Sequence, residues 1–211
     1  MADYSKLDHF SLKAQKEGYP ARSVYKLKEM DEKFGLLKHR GKAPFKALDL
    51  GAAPGSWSLY VLRKLAASGG GDDGKTLVAI DLAPLSRQYD RGLFDKPEFL
   101  FIQGDFTLDE VRQAILSSGP YNLVLSDAAP ATTGNRSVDT LRSLALSEIV
   151  LDYAETTLAK GGNIALKVFQ GGDTVALLKK MRGIFESAKS FKPQACRSES
   201  FETYYLGLGK K

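Results

Sequence analysis

Residues 46–57, which read KALDLGAAPGSW, constrain the fold more than any other part of the chain. A short apolar run ends abruptly at Gly51 and Gly55, as a buried strand does when it enters a tight turn. An amphipathic helical pattern follows at once from Trp57. A strand, a glycine turn and a helix in this order place a ligand at the carboxyl end of a strand in an open α/β sheet. The stretch therefore indicates a cofactor-binding turn, although glycine turns also join strands to helices in folds that bind no ligand.

The composition of this turn narrows the choice of ligand. A dinucleotide fingerprint needs three glycines at fixed offsets, so that backbone N–H groups hold a pyrophosphate. Here Gly51 and Gly55 stand four positions apart, and Pro54 has no N–H to donate. The turn contains no lysine, and Asp49 lies just before it. These features disfavour a pyrophosphate or a nucleoside triphosphate. They favour a cationic ligand without phosphate, and S-adenosylmethionine is one.

Three later strands of the predicted sheet each end at or beside an aspartate: Asp81, Asp105 and Asp127. These strands are predicted at residues 76–81, 98–104 and 121–127. An acid after the second strand of a nucleotide-binding unit accepts hydrogen bonds from ribose hydroxyls, although Asp81 taken alone is also compatible with a turn residue. Because parallel strands end at the same edge of a sheet, the three acids and the glycine turn predict a pocket. Its ligand carries a ribose, an adenine amino group and a positive charge.

Lys167 interrupts the apolar strand predicted at residues 163–169. A buried ammonium group is costly unless it is paired or gives up its proton. Two interpretations follow, a structural ion pair with Asp127 and a catalytic lysine. The second is favoured because both residues are predicted at the edge that binds the cofactor.

The rest of the chain alternates predicted helices and strands. A helix is predicted to open at Pro20 and to end at Gly35, with Arg22, Tyr25 and Lys26 outside its apolar face. Further helices are predicted at residues 139–159, with Gly161 and Gly162 as the C-cap, and at residues 173–188, before two short final strands. This order predicts an α/β fold in which a doubly wound, mostly parallel sheet of about seven strands has helices on both faces.

Basic residues are concentrated at the two ends of the chain, whose net charge is +5. Residues 1–28 contain Lys6, Lys13, Lys16, Arg22, Lys26 and Lys28, and residues 176–211 contain eight Lys or Arg. This distribution suits a polyanionic partner, and a solvated basic face is the alternative. Residues 1–20 show no sustained period and are predicted to be a basic arm that orders on a partner. Residues 21–211 are predicted to form a single domain.

Several classes of protein are disfavoured by what the sequence lacks. No apolar run approaches the roughly 18 residues of a membrane span, and no secretory signal opens the chain. We therefore expect a soluble, cytoplasmic monomer. A single cysteine, Cys196, excludes an internal disulfide, and only two histidines, His9 and His39, make a metal site unexpected.

Five motifs in order resemble the FtsJ/RrmJ family of S-adenosylmethionine-dependent RNA ribose 2′-O-methyltransferases. They are DLGAAPGSW at 49–57, QGD at 103–105, SDAAP at 126–130, KVFQG at 167–171 and SFETYY at 200–205. The resemblance implies a Rossmann-like class I methyltransferase fold and a catalytic tetrad of Lys26, Asp127, Lys167 and Glu202. It implies cofactor contacts at Gly51, Gly55, Trp57, Asp81, Asp105 and Asp127.

Two departures from the family pattern concern the loops. The family often has Pro-Asn-x-Ser-Gly after the fourth-strand aspartate, where this chain has PATTG at 130–134. Glu199 also offers a second candidate for the acid of the tetrad, although Glu202 fits the motif better. These departures leave contacts of the loop open and do not alter the expected chemistry.

The resemblance implies methyl transfer to a ribose 2′-hydroxyl, with Lys167 as general base once it has lost its proton. The compact length favours large-subunit ribosomal RNA as substrate, with a uridine as the expected target, and tRNA is the alternative. A metal-dependent O-methyltransferase acting on small molecules and a non-catalytic RNA-binding module are the rival classes. A lysine within a buried strand argues against mere binding.

Overall fold

The computed structural model describes residues 8–38, 44–67, 76–171, 173–197 and 199–211. The helices are α1 (His9–Lys16), α2 (Val24–Phe34), α3 (Ser56–Ala67), α4 (Asp109–Ser118), α5 (Arg136–Thr157) and α6 (Thr174–Ile184). The strands are β1 (Lys46–Leu50), β2 (Thr76–Asp81), β3 (Phe99–Gln103), β4 (Tyr121–Ser126), β5 (Leu158–Phe169), β6 (Phe185–Phe191) and β7 (Glu202–Lys210). None of the helices in these ranges is long and apolar enough to cross a membrane.

Within the described ranges, seven strands form one sheet in the order β3-β2-β1-β4-β5-β7-β6. The first five strands of this order are parallel, whereas β7 runs antiparallel to both β5 and β6. The chain order reverses between β1 and β4, and open α/β sheets bind their ligands at the carboxyl ends of the strands at such a point. The predicted doubly wound, mostly parallel sheet is confirmed.

The sheet separates two apolar cores because successive side chains of a strand point to opposite faces. Ala47 packs with residues of α1, α2 and α3, whereas its neighbour Leu48 packs with residues of α4, α5 and α6. Leu123 and Val124 divide in the same way on β4. Helices therefore cover both faces, as predicted, and the central strands are buried on both sides.

The N-terminal boundary of α2 differs from the prediction. The helix begins at Val24 and not at Pro20, and it ends as expected at Gly35, which adopts a left-handed conformation with φ of 68°. Tyr25 and Lys26, expected outside the core, are buried at 4% and 9% exposure. The prediction was wrong because the apolar spacing of one helix does not reveal partners supplied by distant strands.

Two boundaries in the second half of the chain were also predicted wrongly. Gly161 and Gly162 lie inside β5 and do not cap α5, because β5 already begins at Leu158, which pairs with Tyr121 of β4. Helix α6 ends at Ile184, and Phe185 opens β6. The fully buried ring of Phe185 occupies the space that a side chain on Gly207 of β7 would need. Tertiary packing therefore overrides the helical pattern at this point.

The segment before α2 has regular structure where none was expected. The carboxylate of Asp8 accepts a hydrogen bond of 2.9 Å from Ser11 N–H and so caps α1. Ala14 is buried, and Phe10 packs against the core formed by α1, α2 and α3. For residues 8–20 the expectation of an irregular arm is wrong, while residues 1–7 lie outside the described ranges. The division into an arm and a domain at residue 20 stays a prediction.

Candidate active site

A cavity of 590 Å³ lies at the carboxyl edge of the sheet, beside the point where the strand order reverses. Gly51, Asp81, Asp105 and Asp127 all line it. The convergence predicted for the three strand-end acids is therefore confirmed, and their contacts with a cofactor stay predictions. The cavity combines several carboxylates with an apolar lining, which suits a ligand with hydroxyl, amino and cationic groups.

Gly51, in the cavity wall, brings its backbone close to the end of β4. Its φ of +79° lies in the left-handed region, and its N–H donates a hydrogen bond of 2.9 Å to Ile80 O. A Cβ at this position would lie 2.6 Å from the Cβ of Ala128, the residue that follows Asp127. Glycine is therefore required to bring the β1 turn against the end of β4.

Asp81 and Asp105 both line the cavity and organise the backbone around it. Asp81 accepts hydrogen bonds from Ala53 N–H at 2.9 Å and from Ala83 N–H at 2.8 Å. Asp105 accepts from the backbone N–H and the hydroxyl of Thr107, at 2.8 and 2.7 Å. The turn interpretation and the ligand interpretation of Asp81 are therefore compatible, because one carboxylate offers several lone pairs.

Gly55 and Trp57 are buried, and neither is among the residues that line the cavity. The indole N–H of Trp57 donates a hydrogen bond of 2.8 Å to Ser23 O, and the hydroxyl of Ser56 accepts one of 2.8 Å from Ala21 N–H. The first turn of α3 thus fixes the segment that leads into α2. Contact of Gly55 and Trp57 with the cofactor stays a prediction, whereas the hydrogen bond from Trp57 to the residue before α2 is observed.

The four side chains of the expected tetrad lie in two ion pairs. Lys26 Nζ on α2 lies 2.7 Å from Glu202 Oε1 on β7, and Lys167 Nζ on β5 lies 3.2 Å from Asp127 Oδ1 after β4. Lys167 also donates a hydrogen bond to the backbone oxygen of Asp127. The exposed fraction of these side chains is only 10–17%. Glu199, the alternative acid, is exposed and does not take the place of Glu202 in the pair.

Tyr204 belongs to this cluster and was not predicted. Its hydroxyl donates a hydrogen bond of 2.6 Å to Asp127 Oδ1. In the antiparallel register of β5 and β7, Tyr204 lies directly opposite Lys167. Its ring centroid lies 5.7 Å from Lys26 Nζ, and the side chain is fully buried. The alternation of side chains along a strand could have predicted this position, since Glu202 and Tyr204 are two residues apart and therefore share a face of β7.

Buried serines of α5 position the end of β5. The hydroxyl of Ser147 donates a hydrogen bond of 3.1 Å to Lys167 O, and the hydroxyl of Ser143 accepts one of 3.1 Å from Phe169 N–H. Both serines are about 3% exposed. They satisfy the backbone carbonyl of Lys167 and the N–H of Phe169 and so hold the end of β5 against α5, a role that the helical pattern of α5 does not reveal.

Neighbouring charges hold Asp127 and Lys26 in their ionised forms and Tyr204 in its neutral form. Burial alone would raise the pKa of the Asp127 carboxyl, but Lys167, Lys26 and the Tyr204 hydroxyl hold it below its usual value. Burial alone would lower the pKa of the Lys26 ammonium, but Asp127 and Glu202 together raise it. Burial and the same two carboxylates raise the pKa of Tyr204 well above its usual range. At neutral pH Asp127 is therefore an anion, Lys26 a cation and Tyr204 a neutral donor.

Comparison with known proteins identifies the family of this chain. A sequence profile of the FtsJ-like methyltransferase family matches residues 19–210. The chain belongs to the FtsJ-like methyltransferase family. The expectation of a methyltransferase is thereby confirmed, whereas the catalytic roles of the ion-paired residues stay predictions.

Curated relatives match this family member along nearly its whole length. It is 48% identical over 208 residues to a ribosomal RNA large subunit methyltransferase E of Treponema denticola, an alignment that covers 99% of this chain and 97% of the relative. It is 44% identical over 206 residues to the protein of that name from Oleidesulfovibrio alaskensis, covering 97% and 92%. A candidate ribosomal RNA methyltransferase from Plasmodium falciparum has a similar structure, with a TM-score of 0.71, 26% identity and coverage of 91% and 98%.

No group of three or more His, Cys, Asp or Glu side chains in the described ranges is arranged to hold a metal ion. The cavity acids are instead engaged with backbone N–H groups and with lysines. The expectation of a reaction without a bound metal stays a prediction.

Proposed function

We propose that this protein transfers a methyl group from S-adenosylmethionine to a ribose 2′-hydroxyl of large-subunit ribosomal RNA, with a uridine as the target. The observation that carries the proposal is the cluster of Lys26, Asp127, Lys167 and Glu202 at the end of an acid-lined cavity. Asp127 belongs to both, since it lines the cavity and pairs with Lys167. A methyl donor and a proton acceptor are thereby brought to one place.

The cavity fits S-adenosylmethionine by its own chemistry. Gly51 lines the cavity, and Asp81 and Asp105 provide acceptors for hydroxyl and amino groups. Asp127 provides a negative charge, which suits a positively charged ligand. When bound, S-adenosylmethionine supplies an electrophilic methyl group attached to a sulfonium.

Lys167 is the proposed general base for the ribose hydroxyl. A hydroxyl is a weak nucleophile, so removal of its proton during the attack accelerates the reaction, and a neutral amine can accept that proton. Asp127 and the backbone of β5 hold the amine in a fixed direction. Lys26 stays positively charged beside it and is placed to stabilise negative charge on the ribose oxygen.

The proposed RNA substrate rests on the relatives and on charge. The two curated relatives described above are both named as large-subunit ribosomal RNA methyltransferases, and the alignments leave little of either protein unmatched. The basic residues at both ends of this chain suit a polyanion. A module that only binds RNA has no use for two buried lysines in ion pairs, which disfavours the non-catalytic interpretation.

Product analysis tests the proposal directly. The purified protein is incubated with ribosomal RNA or large subunits and labelled S-adenosylmethionine, and the RNA is then digested to nucleosides. We expect the label in a 2′-O-methylated nucleoside, most of it in 2′-O-methyluridine. Label on a base, or transfer to tRNA in preference to ribosomal RNA, would overturn the substrate assignment.

The role of Lys167 is tested by single-turnover rates of the wild type and Lys167→Arg across a pH series. Arginine keeps the charge but does not lose its proton in proteins. We expect the Arg variant to lose methyl transfer while S-adenosylmethionine binding persists. Near-normal rates in the Arg variant would contradict the general-base role.

A further inference from the structure

Residues 192–197 (the β6–β7 segment) follow β6 and lead towards Glu202, which opens β7. They form neither a helix nor a strand, yet Ala195 is fully buried and Cys196 is 8% exposed. Both side chains belong to the apolar core that contains residues of α1, α2 and α3. Backbone groups of an irregular buried segment need hydrogen-bond partners, so the partners of this segment decide where it lies.

Glu29 of α2 provides acceptors for two backbone groups of the β6–β7 segment. Its Oε2 accepts a hydrogen bond of 2.6 Å from Gln194 N–H, and its Oε1 accepts one of 2.9 Å from Ala195 N–H. One carboxylate therefore holds two successive N–H groups, and hydrogen bonds to an ionised acceptor are stronger than those between neutral groups. The two bonds join positions that are 165 and 166 residues apart, so they fix a tertiary arrangement.

Arg22 holds the carbonyl side of the same segment. Its guanidinium donates a hydrogen bond of 2.5 Å to Ala195 O and another to the carboxylate of Asp8, the N-cap of α1. Both backbone groups of Ala195 are therefore bound, the N–H by Glu29 and the carbonyl by Arg22. The β6–β7 segment is thus attached both to α2 and to the turn that precedes it.

The ion pair of Lys26 and Glu202 depends on the position of α2 relative to β7. Lys26 and Glu29 are three residues apart on α2, so their side chains lie on one face of the helix. Glu202 belongs to β7, which is held in the sheet by its pairing with β5, whereas α2 lies outside the sheet. The 2.7 Å between Lys26 Nζ and Glu202 Oε1 therefore needs a link between helix and strand. The β6–β7 segment is such a link, because it leads into β7 and is bound to α2 through Glu29.

The position of Glu29 disfavours direct contact with a ligand. Glu29 is not among the described residues that line either cavity beside the cluster, of 590 and 410 Å³. Both of its carboxylate oxygens already accept hydrogen bonds from the backbone. Its effect on the cluster must therefore pass through the β6–β7 segment and Glu202.

We propose that Glu29 is a positioning residue of the catalytic cluster, which holds the β6–β7 segment against α2 and thereby keeps Glu202 beside Lys26. Burial would lower the pKa of the Lys26 ammonium, and Asp127 and Glu202 raise it. A displaced Glu202 would leave this buried cation with one partner fewer. The inference rests on the proposed function for its consequence in methyl transfer, whereas the attachment of the segment does not depend on that function.

Cys196 provides a measurement of the attachment that needs no enzymatic activity. It is the only cysteine of the chain and is buried next to Ala195, so a thiol reagent reaches it when the segment opens. Glu29→Gln keeps the size of the side chain but leaves one oxygen for two N–H groups. Labelling of the folded protein by dithionitrobenzoate should therefore be roughly ten-fold faster in Glu29→Gln than in the wild type.

Glu32→Gln is the matched control for the labelling experiment, because Glu32 is an exposed glutamate of the same helix. It should be labelled at the rate of the wild type. An unchanged labelling rate in Glu29→Gln, or an equal increase in both variants, would overturn the attachment by Glu29.

A double-mutant cycle tests whether Glu29 acts through Glu202. Glu29→Gln should lower the single-turnover rate roughly ten-fold in the wild type and less than two-fold in Glu202→Gln, because a residue that acts through another has no effect once that residue is changed. The free energy of unfolding is measured for the same four proteins, so the cycle is decided even if Glu202→Gln transfers no methyl group. There the two substitutions together should cost less than the sum of their separate costs. Additive effects in both quantities would contradict the positioning role.

Cofactor binding separates this inference from the proposed function. The S-adenosylmethionine dissociation constant should be the same in the wild type and in Glu29→Gln, which also shows that the variant folds. A weakening of cofactor binding that matches the loss of rate would place the effect at the cofactor cavity and overturn the inference. If the wild type methylates no RNA ribose, the proposed function fails, and the labelling of Cys196 still decides whether Glu29 holds the segment. If it does, and Glu29→Gln reacts at the rate of the wild type, only the inference fails.

Discussion

Tyr204 donates a hydrogen bond of 2.6 Å to Asp127 Oδ1, the same oxygen that lies 3.2 Å from Lys167 Nζ. One carboxylate oxygen thus receives a neutral donor and a cation from neighbouring strands. The hydroxyl of Tyr204 fixes the direction of the Asp127 carboxylate, and the carboxylate in turn fixes Lys167. Tyr204 is therefore a positioning residue of the catalytic cluster.

Tyr204→Phe should lower the single-turnover rate by roughly ten-fold, because a hydrogen bond to a charged group is worth about 1.5–3 kcal/mol. The Michaelis constant for RNA should stay close to that of the wild type, since the ring and its packing against Trp57 and Lys26 remain. Tyr205→Phe is the matched control, because Tyr205 is buried in the core on the other face of β7. A rate loss of equal size in both variants would indicate a general effect on packing.

Tyr204→Phe should also change how the free energy of unfolding depends on pH in the acidic range. The pKa of Asp127 is held below its usual value, so its ionised form contributes stability above the ordinary carboxyl range, and this contribution is lost as the pH falls through the lowered value. Tyr204 is one of the groups that lower it. In Tyr204→Phe the folded-state pKa should be less depressed, so the loss should be smaller and should be complete at a higher pH. Urea unfolding of both proteins between about pH 2 and pH 6 measures the shift.

Local sequence patterns predict where the strands of the site end better than they predict the contacts between residues that are distant in the sequence. The carboxyl ends of β2, β3 and β4 were predictable, because apolar runs end there and parallel strands share an edge. The burial of Lys26 was not predictable from α2 alone, since it depends on Glu202 of β7. Tyr204 was missed although it lies on the same strand face as Glu202, because tyrosine is common in buried strands and its hydroxyl partner, Asp127, follows the distant strand β4.

The Lys26–Glu202 pair should couple strongly in a double-mutant cycle. Its side chains are 11% and 13% exposed, and removal of one partner from a buried pair costs about 3–5 kcal/mol because the other charge is left unpaired. We expect Lys26→Met and Glu202→Gln to be individually costly and the double variant to cost less than their sum. Chemical unfolding of the four proteins gives the coupling free energy.

A surface pair of the same chemistry provides the control for this cycle. Lys180 and Glu155 lie 3.8 Å apart with side chains about half exposed, and such pairs contribute about 0–1 kcal/mol. Lys180→Met and Glu155→Gln should therefore be close to additive. A coupling at Lys26–Glu202 no larger than that at the surface pair would contradict the buried, charge-compensated description.

Gly51→Ala should disrupt the cofactor cavity. The added Cβ would lie 2.6 Å from Ala128 Cβ and 2.7 Å from Ala128 Cα, and φ is +79°. Backbone must therefore move at the residue next to Asp127, and overpacking of this kind costs about 1–3 kcal/mol. We expect weaker S-adenosylmethionine binding, measured by calorimetry, together with a lower unfolding free energy.

Gly183→Ala tests whether the effect at position 51 is specific. Nothing lies within 4 Å of a Cβ at Gly183, and its φ is not in the left-handed region. Because Gly183 is in α6, alanine should stabilise the protein slightly, by less than about 1 kcal/mol, and leave cofactor binding unchanged. Normal cofactor binding by Gly51→Ala would show that the close approach at Ala128 is not needed.

Asp49 imposes a pH-dependent cost on the fold. It is fully buried in β1, where Oδ2 accepts a hydrogen bond of 2.7 Å from Ser58 and Oδ1 has no partner in the described structure. Burial, opposed by Ser58 and reinforced by the charges of Asp127 and Asp81, raises its pKa to about 7. Between the ordinary carboxyl value and about 7, the folded protein therefore holds a proton that the unfolded chain has released.

The sign of this linkage leads to a specific comparison. Stability should fall as the pH rises from about 4 to about 7 and then level off, because the unfolded state binds fewer protons over that window. Asp49→Asn carries no such proton, so its unfolding free energy relative to the wild type should rise across the same window, by at most about 4 kcal/mol.

Asp173→Asn is the control, because Asp173 is exposed and makes no side-chain cap bond. Its free energy of unfolding should depend on pH in the same way as that of the wild type. Parallel curves for Asp49→Asn and the wild type would mean that Asp49 is ionised in the folded protein throughout. The alternative outcome, a difference that grows with pH, would identify a neutral carboxyl group beneath the glycine turn.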